Sequence, residues 1–352
     1  MTHPAGNPPL AANGADAVSP PVARVNFLRG TDSIIRRRLM VSSVFAVLCR
    51  LVTYSALGIL VVLLGTIVIN CGSRLSLDFV RSLNSSNPLE AGMLAGIWGS
   101  FWLILLTAIF SIPIGVATAI WLEEYATDSI VTRIIKMNLS NLAGVPSIVY
   151  GMLGLTVFVH MFDLFDKPKV ITLAGLVTFR LPLGDKVLAG ALTMTLVVLP
   201  IVIIAAQEAI RAVPKSIRSA SLALGATRWQ TIRHQVIPAA LPGISTGVIL
   251  AMCRAIGETA PLIMVGALTR ARFTPAGIDS PIKLLTQPQR ILQAPFDQFT
   301  AMPIEVFSWA RQPDERFRAV AAAGIVVLLV LLLAINGVAM FVRYRASRNL
   351  KW

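Results

Sequence analysis

The stretch KSIRSASLALGATRWQTIRHQVIP, residues 215–238, is a polar interruption between two long apolar runs. Pro214, just before it, can open a helix, because the first turn of a helix does not use the N–H that proline lacks. Gly225 can end that helix in a left-handed conformation. The next residues predict a second short helix that stops at Pro238. The stretch therefore predicts two short helices at an angle, with small residues facing one way. A loop lying on lipid headgroups is the alternative.

The runs on either side of this stretch are typical of membrane spans. Of the 352 residues, 55% are hydrophobic and only 14% are charged, and the mean hydropathy is +0.74. Soluble domains carry about 25% charged residues. The sequence thus predicts an all-α polytopic membrane protein with six transmembrane helices, each of about 20 residues or more and able to cross ~30 Å of hydrocarbon. The six runs are residues 44–69, 97–122, 139–162, 187–206, 239–268 and 319–342.

Basic residues indicate how the chain lies across the membrane. An even number of spans puts both termini on one side. The arginines at 36–38 and the basic sequence RYRASRNLK (343–351) indicate that this side is the cytoplasm. Residues 1–32, rich in Pro, Ala, Gly and Asn, predict a disordered cytoplasmic tail. The six-helix domain then covers residues 33–347, and residues 348–352 form a short cytoplasmic tail.

Three loops between the spans are longer than simple connections. Residues 207–238 form a cytoplasmic loop, and residues 163–186 and 269–318 form two outer loops. In the first outer loop, KVITLAGLVTFRLPLG (169–184) can form a hairpin, since two β-prone runs flank small residues. The second outer loop is too long to be featureless. Its PIEVFSWARQ (303–312) predicts a short amphipathic helix on the outer surface, which is either a landing place for an extracytoplasmic partner or a simple cap.

Several classes of function are excluded by composition. The net charge is +14, but the basic residues lie mostly between the apolar runs, which fits topology and headgroup contact rather than nucleic acid. The three cysteines have no metal-ligand spacing. No Gly-Lys pair occurs, so the phosphate-binding loop of an ATPase cannot form. We expect no metal or cofactor in this chain, and any ATP used must bind to another chain.

Two charges lie inside the fifth run, in CRAIGETAPLIMVG (253–266). Each charge at mid-membrane depth costs about 2.5–3.5 kcal/mol, and such residues usually mark a pathway or a binding site. Arg254 and Glu258 are four residues apart, so they share a helix face and can form a structural ion pair. Their order is the less favourable one for such a pair. Pro261 cannot donate to the carbonyl of Gly257, which loosens the helix beside Glu258.

These residue types suggest an anion pathway. The planar guanidinium of Arg254 suits bidentate contact with an oxyanion, phosphate above all. Glu258 can hold the guanidinium in place and accept a hydrogen bond from a protonated oxyanion. Gly257, Thr259 and Pro261 are the candidates for shaping the backbone around the two charges.

The third run, NLSNLAGVPSIVYGMLG (138–154), mixes glycines with polar residues. Close helix packing explains the glycines. The polar residues Asn141, Ser147 and Tyr150 are candidates for a pathway wall. At the cytoplasmic end of the second span, Glu123-Glu124-Tyr125 is interpreted as a contact with lipid headgroups or with another subunit.

The opening stretch resembles the EAA signature of ABC-importer permeases. Ser219-Ala220-Ser221 stands for the E-A-A triplet, Gly225 follows four residues after it, and Ile237-Pro238 is the hydrophobic-Pro pair. The chain departs from the pattern at Ser219, where the family usually has Glu. The resemblance implies a helix that inserts into a cleft on a cytoplasmic ATPase, and residues 207–238 are called the coupling loop below. The implied coupling residues are Ser219, Ala220, Ser221, Gly225, Ala226, Thr227, Arg228, Ile237 and Pro238.

Over residues 33–347 the chain resembles, more narrowly, the PstA-type permease of bacterial phosphate ABC importers. The similarity is carried by RAIGETAPL (254–262), NLAGVPSIVYG (141–151) and ASLALGATRWQTI (220–232). It implies the type I ABC importer fold, the bacterial inner membrane, and a role of Arg254 in phosphate passage together with Glu258. The implied partners are a PstC-type second permease, a PstB-type ATPase dimer that binds ATP and Mg, and a PstS-type phosphate-binding protein.

Three other interpretations of the sequence stay open. The chain can be a permease for another oxyanion, such as phosphonate, molybdate or sulfate. It can be an ion-coupled secondary transporter in which Glu258 carries protons. It can also be a membrane scaffold that transports nothing, which leaves the charges in the fifth run unexplained.

Overall fold

The computed structural model describes residues 31–161, 169–173, 177–181 and 183–347, and within them the chain is mostly helical. The predicted tails lie outside the described residues, apart from Thr31 and Asp32. The helices are α1 (Thr31–Cys71), α2 (Leu77–Arg81), α3 (Leu94–Ile120), α4 (Ile130–Leu142), α5 (Ser147–Gly154), α6 (Val187–Arg211), α7 (Lys215–Ala223), α8 (Arg228–Thr231), α9 (Ile237–Gly257), α10 (Ala260–Met264), α11 (Pro281–Thr286), α12 (Pro288–Ile291), α13 (Met302–Ala310) and α14 (Arg316–Ser347). The strands are β1 (Lys169–Leu173) and β2 (Val177–Leu181).

Five helical segments among the described residues are long and apolar enough to cross a membrane. They are Ile35–Cys71, Leu94–Tyr125, Val187–Arg211, Arg228–Gly257 and Arg316–Arg345. A sixth span results only if α4 and the segment that begins with α5 are counted together, although a bend of 102° separates them. The predicted first, second, fourth and sixth spans are therefore confirmed as long helices.

The third predicted span, residues 139–162, is wrong as a single helix. α4 ends at Leu142, and α5 begins at Ser147, after Pro146. Pro146 has φ −56° and ψ 134°, outside the helical region. Proline also disfavours the helical conformation of the residue before it, so the chain turns here instead of continuing.

The core of the helix bundle lies where α3, α6 and α9 meet. Trp102 of α3, Val198 of α6 and Ala251 of α9 are buried in one apolar cluster. The central helix is α6, because two thirds of its most apolar window (67%) is buried against other helices. Such a helix needs apolar residues around its whole circumference, which the run 187–206 supplies.

The chain divides into two compact units, residues 1–63 and 64–352. The described part of the first unit is the beginning of α1, and its large apolar side chains, from Leu39 to Leu63, are mostly exposed. An exposed apolar surface of this length is stable only in a lipid or protein environment.

The outer loops have more structure than simple connections. β1 and β2 form the predicted hairpin, with Lys169 paired to Leu181 at its open end. The second outer loop contains α11, α12 and α13. The short amphipathic helix predicted at residues 303–312 corresponds to α13, in which Ile304 and Trp309 are buried whereas Phe307 is exposed. Its role as a landing place for a partner or as a simple cap stays a prediction.

A buried carboxyl group joins this outer helix to the rest of the bundle. Glu305 of α13 is fully buried, and its Oε1 accepts a hydrogen bond from Nδ2 of Asn84 at 3.5 Å. Oδ1 of Asn84 in turn accepts one from Nε1 of Trp309 at 3.3 Å. Burial raises the pKa of Glu305 to about 8, against the opposing effect of hydrogen bonds from Asn84 and the backbone of Gly96.

Candidate substrate pathway and coupling loop

The fifth predicted span, residues 239–268, is a broken helix. α9 ends at Gly257, Glu258 is extended with φ −79° and ψ 118°, and α10 begins at Ala260. Pro261 lies in the first turn of α10, where its missing N–H is tolerated. The sequence predicted a loosened turn, and the structure has a complete interruption. A backbone break of this kind at membrane depth is tolerated where it is covered by protein or lines a cavity.

Arg254 and Glu258 form an ion pair across this break. Nε of Arg254 lies 3.3 Å from Oε1 of Glu258. The guanidinium side chain is 56% exposed, whereas the carboxylate is 19% exposed. Because Arg254 is in the last turn of α9, its charge also interacts favourably with the negative end of the helix dipole. The helix end therefore reduces the cost of placing an arginine at this depth.

The ion pair leaves part of the guanidinium available. Among the described residues, the contact with Glu258 is the only hydrogen bond or ion pair of Arg254 that we find, and it uses Nε. Arg254 lies on an exposed face of α9 with Leu250 and Gly257, while Ala251 and Ala255 are buried in the core on the other side. The terminal nitrogens can thus donate to an anion while Glu258 fixes the orientation of the side chain.

The break is supported from one side by α5. A Cβ on Gly151 would lie 2.7 Å from Cα of Pro261 and 3.0 Å from Cβ of Met264. Only glycine allows the two backbones to approach this closely. α5 is therefore packed directly against α10, the short helix that follows the break.

The three predicted pathway-wall residues are not joined to the charged pair. Asn141 is exposed, Ser147 is half-buried as the first residue of α5, and Tyr150 is buried. The hydroxyl of Tyr150 donates to the carbonyl of Leu142 at 2.9 Å, across the bend between α4 and α5. We find no hydrogen bond from any of the three to Arg254 or Glu258 within the described residues. Tyr150 is positioned to hold the bend, and a pathway role for these residues stays a prediction.

The coupling loop folds as two short helices. α7 follows Pro214, and the loop after it turns at Gly225, which has a φ of +85°. Thr227 and Gln230 form a capping box at the start of α8: the Thr227 hydroxyl accepts from the Gln230 N–H at 3.3 Å, and the Gln230 side chain accepts from the Thr227 N–H at 2.8 Å. The spacing T-x-x-Q could have predicted this cap from the sequence.

The predicted stop at Pro238 is wrong. Residues Arg228–Gly257 form one continuous helical segment, which passes through the π-helical turn Ile232–Val236 into α9. Proline removes one backbone hydrogen bond and crowds the preceding turn. The wider π-helical turn directly before Pro238 relieves this crowding, so the helix continues.

The predicted coupling residues lie on different sides of this helix pair. Ser219, Ala220, Gly225, Thr227 and Arg228 are exposed, whereas Ser221, Ala226, Ile237 and Pro238 are half-buried. Ser219 donates only to the carbonyl of Lys215 in its own helix, at 3.2 Å. The hydroxyl of Ser221 is hydrogen-bonded to that of Thr231 at 2.9 Å, which joins α7 to α8.

Three large apolar residues of the coupling loop were missed by the sequence reasoning. Leu222, Leu224 and Trp229 are exposed, and Leu224 is 89% exposed. Their positions flank the small residues of the signature, so a search for apolar side chains beside Gly225 could have found them. Large apolar residues exposed close together in the sequence of a polar loop are candidates for a protein interaction site.

The molecule combines apolar spans, a broken helix that carries two charges, and the exposed helices of the coupling loop. Together these features define a multi-pass transport permease. The family described as "Binding-protein-dependent transport system inner membrane component" matches residues 111–348 of the chain. The chain belongs to this family, whose members are the transmembrane subunits of ABC importers.

Individual relatives agree with this assignment. Over 216 residues the chain is 36% identical to the probable ABC transporter permease protein YqgI of Bacillus subtilis, covering 61% of this chain and 67% of that protein. It is 35% identical to the phosphate transport system permease protein PstA 1 of Mycobacterium tuberculosis, covering 50% of this chain and 51% of the relative. It is 29% identical to PstA of Xylella fastidiosa, covering 71% and 74%. The chain thus spans about two thirds of the first relative and half of the second.

Proposed function

We propose that this chain is the PstA-type permease subunit of an ATP-driven importer that carries inorganic phosphate across the bacterial inner membrane. The observation that carries this proposal is the half-exposed guanidinium of Arg254, held by Glu258 at a broken helix. A planar cation with free donors at membrane depth suits an oxyanion, and phosphate offers several acceptor oxygens. Several relatives named as phosphate transport permeases support phosphate over other oxyanions.

The complex contains three further kinds of subunit. A PstC-type permease pairs with this chain and covers the exposed face of α9. A PstB-type ATPase dimer binds ATP and Mg and docks on the coupling loop, where Leu222, Leu224 and Trp229 are exposed. A PstS-type protein delivers phosphate on the outer side. In this arrangement both termini of the chain lie in the cytoplasm.

Transport proceeds by alternating access. When the ATPase closes on ATP, it pushes residues 214–238, and the spans rock so that the pathway opens to one side at a time. Phosphate passes Arg254, whose terminal nitrogens donate to its oxygens. Glu258 keeps the guanidinium oriented and, because it partly neutralises the charge, prevents the anion from binding too tightly to leave.

The test is transport by the purified complex in liposomes. We expect uptake of labelled phosphate that requires ATP and the binding protein, and that excess sulfate, molybdate or phosphonate does not reduce. Competition by one of these anions would assign the permease to another oxyanion. Uptake that continues without the ATPase would support a secondary transporter, and the absence of any uptake would support a scaffold.

A further inference from the structure

Three consecutive residues at the end of α3 contact three different parts of the bundle. Glu123, Glu124 and Tyr125, called the hub below, lie in the π-helical turn Trp121–Tyr125. A π-helical turn adds a residue to the helix and changes the direction of the side chains after it, and such turns are frequent at functional sites.

The first residue of the hub joins membrane helices to one another. Oε1 of Glu123 lies 3.0 Å from Nζ of Lys136 on α4. The same oxygen lies 2.9 Å from Nη2 of Arg211, the last residue of α6. Glu123 therefore ties the end of α3 to the middle of α4 and to the end of α6.

The second residue joins α3 to the coupling loop. Oε1 of Glu124 accepts from Nη2 of Arg218 at 2.7 Å and from Nε at 3.0 Å. Arg218 lies on α7, and both side chains are largely buried, at 20% and 9% exposure. The guanidinium also donates to the carbonyls of Val213 at 2.6 Å and Ile210 at 2.9 Å. All three of its nitrogens are engaged, so the side chain is fixed between α3, α6 and α7.

The third residue contacts the other short helix. The guanidinium of Arg228, the first residue of α8, lies 5.3 Å from the centre of the Tyr125 ring, within the range of a cation–π interaction. Glu124 and Tyr125 thus hold both helices of the coupling loop against the end of α3.

The polar contacts of the hub matter because Ile217 is the only described residue of α7 that packs, partly buried, against an apolar cluster of the bundle. None of its residues is buried. Ser219, which replaces the usual Glu of the signature, bonds only within α7. With a single partly buried apolar residue, α7 is connected to the rest of the protein mainly by its polar side chains and its backbone.

We propose that the hub transmits the movement of the coupling loop to the membrane helices, with Glu124 and Arg218 as its positioning residues. This inference rests on the proposed function, since it assumes that an ATPase moves α7. A push on α7 passes through the Arg218 guanidinium to Glu124 and α3, and Glu123 passes it to α4 and α6. The interpretation from the sequence, a contact with lipid headgroups or with another subunit, does not account for the partners of the two carboxylates, which are basic residues of the same chain.

The test measures phosphate taken up per ATP hydrolysed by the reconstituted complex. Glu124→Gln keeps the size of the side chain and removes the charge that orients Arg218. We expect the complex to co-purify with its ATPase and to hydrolyse ATP, while the uptake-to-hydrolysis ratio falls about tenfold. Asp279→Asn is the matched control, because it removes one carboxylate from an exposed ion pair with Lys283 on the outer loop. The uptake-to-hydrolysis ratio of Asp279→Asn should equal that of the wild type.

Each outcome decides the proposal. A wild-type ratio in Glu124→Gln would overturn it. If Glu124→Gln does not assemble, the uptake-to-hydrolysis ratio of Arg218→Lys tests the proposal instead. Lysine keeps the positive charge but cannot donate through two nitrogens to Glu124 as arginine does. A wild-type complex that hydrolyses ATP without taking up phosphate counts against the proposed function alone. The hub is then judged by the stimulation of ATP hydrolysis by the loaded binding protein: loss of stimulation in Glu124→Gln supports it, and wild-type stimulation refutes it.

Discussion

In the proposed function Arg254 is the residue that contacts the anion, and its position follows from the end of a helix. α9 stops at Gly257, so Arg254 lies in its final turn and Glu258 lies just beyond it. The sequence placed both charges in the middle of a continuous span, where they would be costly. At a helix end, the arginine gains from the helix dipole and the glutamate is partly buried beside it.

Replacement of Arg254 by glutamine should stop phosphate uptake. The variant loses the positive charge and the planar set of guanidinium donors, while it keeps a polar side chain. We expect uptake to fall at least about tenfold, because hydrogen bonds to charged groups contribute about 1.5–3 kcal/mol each. The measurement is ATP-dependent uptake of labelled phosphate in liposomes, together with co-purification of the ATPase to show that the complex assembles.

The control for this variant is Arg318→Gln, in an exposed ion pair with Glu315 near the start of α14. Its uptake should match that of the wild type. Wild-type uptake by Arg254→Gln would remove Arg254 from the pathway and leave the ion pair with Glu258 as a structural feature only.

Tyr150→Phe separates a structural role from a pathway role. The variant loses the hydrogen bond to the carbonyl of Leu142, which keeps a second donor, the N–H of Val145 at 3.1 Å. We therefore expect a loss of about 1 kcal/mol in stability and nearly normal uptake by the assembled complex. Thermal unfolding in detergent and uptake in liposomes measure the two effects. Tyr54→Phe, at an exposed hydroxyl of α1, is the control. Reduced uptake with normal stability would restore Tyr150 to the pathway wall.

At the scale of elements, the sequence predicted those helix ends and strands that depend on local residues. Pro214 and Gly225 placed both ends of α7, and two β-prone runs placed the hairpin. The two broken spans were predicted as continuous, because the hydropathy of a run does not register an interruption by one Pro or Gly. What holds these breaks together is long-range packing, such as that of Gly151 on Pro261, which no single segment encodes.

The contacts of the site were the least predictable from sequence. The adjacent Glu123 and Glu124 look alike in a linear sequence, yet they bind partners on different helices. Arg218 is 94 residues away from Glu124 along the chain, so no local pattern relates them. Similarly, the sequence of α13 does not reveal which of its aromatic residues the bundle covers: Trp309 is buried and Phe307 is exposed.

The buried Glu305 should make the outer helix α13 sensitive to alkaline pH. Its pKa is about 8 in the folded protein and about 4.5 when exposed, so the folded state binds the extra proton between these values. The stabilising effect is complete below pH 4.5 and is lost as the pH rises through 8. Relative to a variant without this carboxyl, we expect a loss of roughly 4 kcal/mol between pH 5 and pH 8.

Thermal unfolding of the wild type and of Glu305→Gln across this pH range tests the prediction. Glutamine keeps a partner for Asn84 and cannot ionise, so the decline in stability should be reduced in this variant. Glu315→Gln, at an exposed carboxylate that pairs with Arg318, should leave the decline as it is. Identical pH profiles for the wild type and Glu305→Gln would show that Glu305 does not titrate in this range.

At the scale of the whole molecule, the surfaces that this chain leaves exposed indicate where its partners bind. The face of α9 with Leu250 and Arg254 lies at membrane depth, where lipid or a second permease can cover it. In the proposed function the exposed apolar residues of the coupling loop, Leu222, Leu224 and Trp229, form the surface on which the ATPase docks. The two surfaces therefore call for different subunits, and each can be tested by a change that leaves the other intact.

Leu224→Glu should prevent the ATPase from docking. Leu224 is the most exposed large apolar residue described in the chain, at 89%, and Leu222 and Trp229 accompany it in the coupling loop. A charge in the centre of an apolar interface must be desolvated without a partner, and central interface residues contribute at least about 2 kcal/mol. We therefore expect the affinity for the ATPase to fall more than about tenfold. Co-purification and titration of the ATPase against the detergent-solubilised permease pair measure this affinity.

The control is Ile282→Glu, which introduces the same charge at an apolar residue of α11 that is 71% exposed. Because α11 belongs to the outer loop, this change should leave ATPase binding unaltered while the permease pair stays intact. Equal ATPase binding by Leu224→Glu and the wild type would show that the apolar cluster of the coupling loop is not the docking surface. Loss of the second permease in Leu224→Glu would instead mean that the coupling loop contributes to the permease pair.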